Sequence, residues 1–438
     1  MKNIIMILIG VLLIIGCDRF DKNFVSVDSE VNKTYEVIEE DQALETLMAF
    51  MQRTEMMTKA GKERVIKSVD TYPLMTKATD DPEAYVINFE DNAGFAVLGA
   101  RSDMAEIIAV TENGNIDPIT LSIIDRPVFG DSLIGRPEPP IMWEDDEIIV
   151  DTLTSENIYC VEEDDYYVGG DISEFISSSI TTGTKYRESP SMPVADYDYS
   201  SSDDVSTPTT NPPIRLNLVT QWDQDSPYNN KCKLQNDGNR RLAGCSSVAA
   251  GMILAYNKFP SSLYVNNTLL NWEEIRETEY LTSTSSEPVI THIPLLLGYF
   301  FWNCNRMAGK SYTMITPTQI KKRFSELGYK DLVLYKNSDF TNEMMGATTQ
   351  MIRNNKPVFI SAMRYAKKFP FVSGHSWVIE GVDSYNQMVY CNWGWEGGSN
   401  GYFSKNCFVV GDREYEFHFR LLSYNIPTQT VVKYVGLD

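Results

Sequence analysis

Near the middle of the chain, residues 187 to 213 read RESPSMPVADYDYSSSDDVSTPTTNPP. Serine, proline, threonine and aspartate dominate, and apolar side chains nearly vanish. Such a stretch buries too little apolar surface to offset the entropy lost on ordering. It is therefore a linker, and the 438 residues divide into a region before it and a region after it. Exposed linkers concentrate proteolytic nicking, and Lys185 and Arg187 stand at this one's start. An apolar content of 43 % with 22 % charged residues is that of a globular protein, and seven cysteines are too few for a disulfide-built scaffold.

Charge divides with the linker. Residues 214–438 hold 23 Lys+Arg against 19 Asp+Glu, a balance of +4, which leaves 15 against 41, or −26, for residues 1–213. The whole chain, at −22, is a poor match for nucleic acid. The asymmetry suits an acidic region docked on a basic one by charge complementarity; an acidic surface that serves solubility is the plainer account.

The first residues, MKNIIMILIGVLLIIGC, carry one early lysine and then an apolar run from Ile4 to Gly16. The run has the length of a signal-peptide core and falls short of the roughly 20 residues a membrane-spanning helix needs. Its end, Ile14-Ile15-Gly16-Cys17, resembles a bacterial lipobox. That resemblance implies cleavage before Cys17 and lipidation of its thiol, which would anchor the chain to a membrane without a spanning helix. A plain signal peptide is the alternative.

Before the linker, DQALETLMAFMQR places Ala43, Leu44, Leu47, Met48 and Met51 at helical spacing. Tyr85–Phe89 and Phe95–Ala100 flank an acidic turn and read as a hairpin, with a further strand over Ile107–Val110. After the linker, residues 245 to about 330 read as helical. Thr316, Pro317, Gln319 and Gly328 bound one helix as N-cap, first residue, capping-box partner and C′ glycine. Another helix fits residues 339–354. Past Pro357 the texture changes to strands: VFISAM, HSWVIEGVDS, MVYCNWGW, GYFSK and YEFHFRLLSY. Helices first and antiparallel strands afterwards is an α+β order.

In RLAGCSSVAAGMILAYNKFP, Val248, Met252 and Tyr256 share a face and Pro260 limits the end, so Cys245 stands at a helix start. The helix dipole and unpaired N–H groups there favour a reactive thiolate. A lone cysteine is more often a buried thiol. It could also be half of a disulfide. Setting aside Cys17 and Cys245 leaves Cys160, Cys232, Cys304, Cys391 and Cys407, an odd number that argues against full pairing. No Cys or His pair has metal-ligand spacing, and no cofactor is implied.

A thiol nucleophile needs a base. Of three histidines, His292 and His418 read as structural, whereas His375, in VSGHSWVIEGV, follows a glycine at the start of an apolar strand. It lies 130 residues after Cys245, and Asn392, Trp393 and Trp395 follow in YCNWGWEGGSNGYF. An Asn carbonyl can hold a histidine tautomer and an indole can shield the pair. Upstream, Gln221 and Gln224 in QWDQDSPYNNKC could supply an oxyanion donor beside the Cys245 N–H.

The blocks WDQDSPYN, GCSSVAAGMILAYNKFP, SGHSWVIEGVD and NWGWEGGSNGYF together resemble the streptopain family of papain-like cysteine peptidases, and AYVINFEDNAGFAVLGARSD resembles that family's inhibitory propeptide. The resemblance implies a papain-like catalytic domain of two subdomains, a helical part then an antiparallel β part, preceded by an α+β propeptide domain. It makes Cys245 the nucleophile, His375 the base and acid, Gln224 rather than Gln221 the oxyanion donor, and Trp393 and Trp395 walls of the cleft. Asn392 takes the orienting place less cleanly, since tryptophan partly replaces it in this family. The chain departs from the family pattern in Ser246-Ser247 after the cysteine, Ser376-Trp377 after the histidine, Glu380 before the strand glycine, and NRMAGKSYTM, which lacks a Gly/Ser-rich run.

The sequence thus leads to an expected organisation of signal peptide 1–16, propeptide with tether 17–186, linker 187–213 and peptidase 214–438. The expected function is an exported, lipid-anchored cysteine endopeptidase made as a zymogen. It would sit on a periplasmic or cell-surface membrane through Cys17 or be released on maturation. Its partners would be protein substrates and its own propeptide. A catalytically idle binding or inhibitory lipoprotein and a Cys-His acyltransferase are the competing readings.

Overall fold

Ala43, Leu47, Phe50 and Met51 fall on one side of a helix, and α1 forms over Glu40–Arg53 with these four buried. Met48 is 39 % exposed, and Phe50 takes the place expected for it. The structure, a computed structural model, describes residues 35–59, 61–72, 81–117, 212–236, 238–304, 307–308, 313–365, 372–405, 407–411 and 413–437. The signal peptide, Cys17, Cys160, Lys185, Arg187 and all but the last two linker residues lie outside the described residues. No described helix is long and apolar enough to cross a membrane.

After α1 come the short strands β1 (Thr58–Lys59) and β2 (Lys62–Glu63), then β3 (Ile66–Tyr72), β4 (Ala84–Phe89), β5 (Phe95–Gly99) and β6 (Ile107–Thr111). β4 and β5 form the expected hairpin, closed by Glu90–Asn92. The sequence gives no sign of β3, because the exposed Lys67 and the half-buried Ser68 and Asp70 mask the alternation.

Beyond the linker, β7 (Ile214–Arg215) precedes α2 (Cys245–Asn257), β8 (Ser262–Val265), β9 (Thr268–Leu269), α3 (Trp272–Glu277) and α4 (Val289–Asn303). Then follow β10 (Met307–Ala308), β11 (Thr313–Met314), α5 (Pro317–Leu327), β12 (Lys330–Asn337) and α6 (Asn342–Arg353). Thr316 caps α5 by accepting from Gln319 N, and Gly328 ends it with φ 107°. The strands β13 (Val358–Tyr365), β14 (Val372–Asp383), β15 (Met388–Asn392), β16 (Gly401–Ser404), β17 (Phe408–Val410), β18 (Arg413–Tyr415), β19 (Phe417–Asn425) and β20 (Val432–Val435) complete the chain. Helices before antiparallel strands is the order expected, interrupted by the β8–β9 and β10–β11 hairpins and by β12, which joins β19.

α2 is buried on every side from Cys245 to Ala255. A helix apolar all round belongs in a core, and small residues such as Ala249 and Ala250 admit its neighbours closely.

Among the described residues, an eleven-stranded antiparallel sheet runs in the order β12-β19-β13-β14-β15-β16-β6-β5-β4-β3, with β7 beside β14. It crosses from one side of the linker to the other at β16–β6, where Gly401 faces Thr111, Tyr402 faces Val110 and Phe403 faces Ala109. α1 covers the N-terminal part of this sheet, and its core takes in Met388, Tyr390 and Tyr402 from beyond the linker. Phe50 meets Tyr402 edge-on at 5.5 Å. Truncating a buried phenylalanine of this kind costs roughly 3–5 kcal/mol.

The docking of the acidic region therefore rests on a shared sheet and a shared apolar core, which the expected charge complementarity does not describe. Arg215 of the C-terminal region does meet Glu112 at 2.6 Å. Arg53 of the acidic region, however, pairs with Asp383 of the other at 2.5 Å, against the expected polarity.

Candidate active site

The turn into α2 is built around Gly244. Its φ is 91°, and a Cβ there would lie 2.9 Å from the Thr313 carbonyl oxygen, so only glycine fits on both counts. Thr313 Oγ1 donates to the Leu242 carbonyl at 2.7 Å, fixing the approach from the other side. Cys245 is thus the first residue of α2 and no side chain caps it, so its thiol meets the positive end of the helix. Cys245 is 6 % exposed.

Gln224 is buried beside this turn, and its carbonyl accepts from Ala243 N at 2.8 Å, two residues before the cysteine. Gln221 lies elsewhere: its Oε1 accepts from Asn400 Nδ2 at 2.8 Å. The structure thus sets Gln221 apart from Gln224, the one the family resemblance names as oxyanion donor.

His375 lies within β14, paired with Ala362 of β13. Its Nε2 is 2.9 Å from the Trp393 carbonyl oxygen. A carbonyl only accepts, so Nε2 carries the proton and Nδ1 is the basic nitrogen. Trp395, Tyr415, Trp393 and Trp377 surround the imidazole, with centroids 4.7, 5.7, 6.1 and 6.2 Å away. Trp393 is itself pinned, its N–H donating to Asn400 Oδ1 at 2.9 Å and its Nε1–H to the Ser399 carbonyl at 3.1 Å.

Asn392 does not orient the histidine through its side chain. Its Nδ2 donates to the Thr220 carbonyl at 2.9 Å and its Oδ1 accepts from Gly394 N at 3.2 Å. The main chain of the next residue makes the contact that the sequence assigns to the amide. Trp393 and Trp395 flank the imidazole.

α2 and β14 meet through their next residues: Ser246 Oγ lies 2.9 Å from Ser376 Oγ. The sequence marks both serines only as departures from a family pattern. Tyr415 and Asn400 also escape sequence reading, since neither belongs to a recognisable spacing.

The other histidines are structural. His292, on α4, accepts from Asn271 N at Nδ1, and burial lowers its pKa. His418, on β19, accepts at Nδ1 from Arg420 Nη2 at 3.1 Å. The described cysteines Cys232, Cys245, Cys304, Cys391 and Cys407 are all buried thiols. Burial raises Cys391 well above the usual thiol range, which keeps it protonated.

The N-terminal region reaches the loop that carries Trp393. Glu112 N donates to the Asn400 carbonyl at 2.7 Å, and Asn113 Nδ2 to the Gly397 carbonyl at 3.0 Å. Nearby, Arg215 contacts Glu380 at 3.1 Å and Tyr390 Oη at 2.7 Å, beside its pair with Glu112.

Residues 222–403 match the model of the Peptidase C10 family, and residues 35–123 match that of the Spi protease inhibitor. The region after the linker thus carries a Peptidase C10 match, and the region before it a Spi protease inhibitor match. The chain is a cysteine-type peptidase that carries a propeptide inhibitor domain, the make-up of a cysteine protease zymogen. Among solved structures it is similar to active interpain A cysteine protease of Prevotella intermedia, at 19 % identity over 48 % of this chain and 94 % of that one, with a TM-score of 0.42. It is also similar to a mutant fragment of prointerpain A from the same organism, at 16 % identity over 84 % of this chain and 99 % of that one, with a TM-score of 0.46. No curated protein matches the chain.

Proposed function

We propose that this peptidase is an exported, lipid-anchored endopeptidase zymogen. Its parts are a signal peptide over 1–16, a propeptide over 17–186 that begins at a lipidated Cys17, an activation linker over 187–213 and a peptidase over 214–438. Cys245 is the nucleophile, His375 the base and acid, and Gln224 an oxyanion donor. The observation that carries the dyad is the 2.9 Å contact between Ser246 and Ser376, the residues that directly follow the cysteine and the histidine.

His375 Nδ1 takes the Cys245 thiol proton, while Nε2–H stays on the Trp393 carbonyl and steadies the imidazolium. The thiolate adds to a peptide carbonyl carbon, and the Cys245 N–H and the Gln224 amide donate to the oxyanion. Collapse breaks the C–N bond as Nδ1 protonates the leaving amine, which leaves a thioester. Water, deprotonated by Nδ1, then adds to the thioester, releasing the carboxylic acid and the thiolate.

The test treats the chain, with and without a nick in the linker, with an epoxide thiol inhibitor and locates the adduct by mass spectrometry. The expected result is a Cys245 adduct that forms after nicking and is absent from Cys245→Ala. A folded, nicked chain without the adduct refutes the assignment.

A further inference from the structure

Ser246 and Ser376 depart from the family pattern separately in sequence and meet in space. Ser246 Oγ–H donates to the Ile315 carbonyl at 2.8 Å, and Ser246 Oγ is 2.9 Å from Ser376 Oγ. A hydroxyl has one proton to donate. Ser246 commits its own to Ile315, so Ser376 is the donor between the two serines. The relay therefore runs from Ser376 through Ser246 to Ile315. The serines are 3 % and 5 % exposed, so both bonds form away from water.

The relay joins the three pieces of chain that frame the dyad. Ser376 follows His375 on β14, and Ser246 follows Cys245 in the first turn of α2. Ile315 ends the segment whose Thr313 packs on Gly244. Successive strand residues point to opposite faces. The Ser376 hydroxyl thus faces α2 while His375 turns to the ring cluster, where the Trp393 carbonyl holds it. Apolar contacts tolerate sliding, but a hydrogen bond tolerates only a few tenths of an ångström.

We propose that Ser246 and Ser376 are positioning residues, whose hydrogen bond sets the separation and heading of the Cys245 thiolate and the His375 imidazole. The proposal rests on the assignment of those two residues as nucleophile and base. Neither serine touches the reacting atoms. Without the bond, the first turn of α2 can move relative to β14, the ion pair weakens, and the thiolate forms only at higher pH.

Ser376→Thr and Ser376→Val have the same shape and differ in the hydroxyl, so they separate the hydrogen bond from packing. The full chain, nicked in the linker, is alkylated with iodoacetamide across a pH series, with the Cys245 adduct followed by mass spectrometry. Turnover of a peptide amide gives kcat and KM. Ser376→Thr should keep the parent profile. Ser376→Val and Ser246→Ala should each lose roughly 10–100-fold in kcat with little change in KM. Their alkylation midpoint should rise by about one pH unit, and the double variant should be no worse than the worse single one. Losses that multiply, or an unmoved midpoint with only a lower Tm, overturn the proposal. If the Ser376 variants do not fold, Ser246→Thr against Ser246→Val makes the same comparison. An inert Cys245 in the parent chain overturns the dyad itself, and this proposal with it.

Discussion

His375 is held by a main-chain atom: its Nε2–H donates to the carbonyl oxygen of Trp393 at 2.9 Å. The side chain of Asn392 is occupied by Thr220 and Gly394. Asn392→Ala should therefore act on stability, leaving buried partners unpaired at a cost of roughly 1–3 kcal/mol. The pH profile of Cys245 alkylation should stay in place. Thermal unfolding and alkylation rates check the two halves, and a shifted profile would restore the amide as the orienting group.

Gly401 sits where β16 meets β6. A Cβ at this position would lie 2.2 Å from the Val110 carbonyl oxygen and 2.6 Å from the Thr111 Cα, both in the inhibitor domain. Gly401→Ala should push the two strands apart and loosen the zymogen. The matured enzyme, which no longer carries that strand, should keep its parent kcat. The expected signature is a Cys245 that reacts in the un-nicked variant and stays silent in the un-nicked parent. Equal silence in both would mean that β6 does not maintain latency.

What the sequence makes legible follows from what it encodes. Cys245 at a helix start is readable because a glycine, a run of small and apolar residues and Pro260 are local signals. The β4–β5 hairpin and the capped α5 are readable for the same reason. The holder of His375 is hidden, because a backbone carbonyl leaves no mark on residue identity. The Ser246–Ser376 bond is hidden too, since two hydroxyls 130 residues apart carry no periodicity. Charge totals mislead about docking because they ignore place: Arg53, in the acidic region, reaches a carboxylate in the basic one.

Arg53 grips Asp383 with both terminal nitrogens, at 3.0 and 2.5 Å, and the Asp383 side chain is fully buried. Tyr385 N and Asn386 Nδ2 also donate to it, at 3.2 and 2.9 Å. Because those two donors remain, Arg53→Ala should weaken the hold of the inhibitor domain by about 2 kcal/mol, the low end for a buried charge pair. That is a rise of roughly 30-fold in the open population, read as the alkylation rate of Cys245 in the un-nicked chain. Raising salt from about 0.1 to 1 M should change the parent rate by less than about threefold, since a buried pair and an apolar core are weakly screened. A steep salt dependence would return docking to net charge.

Glu380 titrates against the fold. It is 1 % exposed, and burial pushes its carboxyl from the ordinary 4.5 up to about 7, with Arg215 pulling the other way and losing. A carboxyl whose pKa is raised by folding binds its proton more tightly in the folded state. Its effect is nil below 4.5, destabilises progressively between 4.5 and about 7, and is constant above that. The cost at pH 8 is about 3 kcal/mol. In Glu380→Gln this pH-dependent loss is absent, so the variant should gain on the parent as pH rises from about 4 to 8. Urea unfolding midpoints across that range measure the gain. The pH slope is the diagnostic quantity, because the lost Arg215 contact adds only an offset. A variant that instead falls behind the parent as pH rises would show that Arg215 stabilises the ionised carboxylate more than burial penalises it.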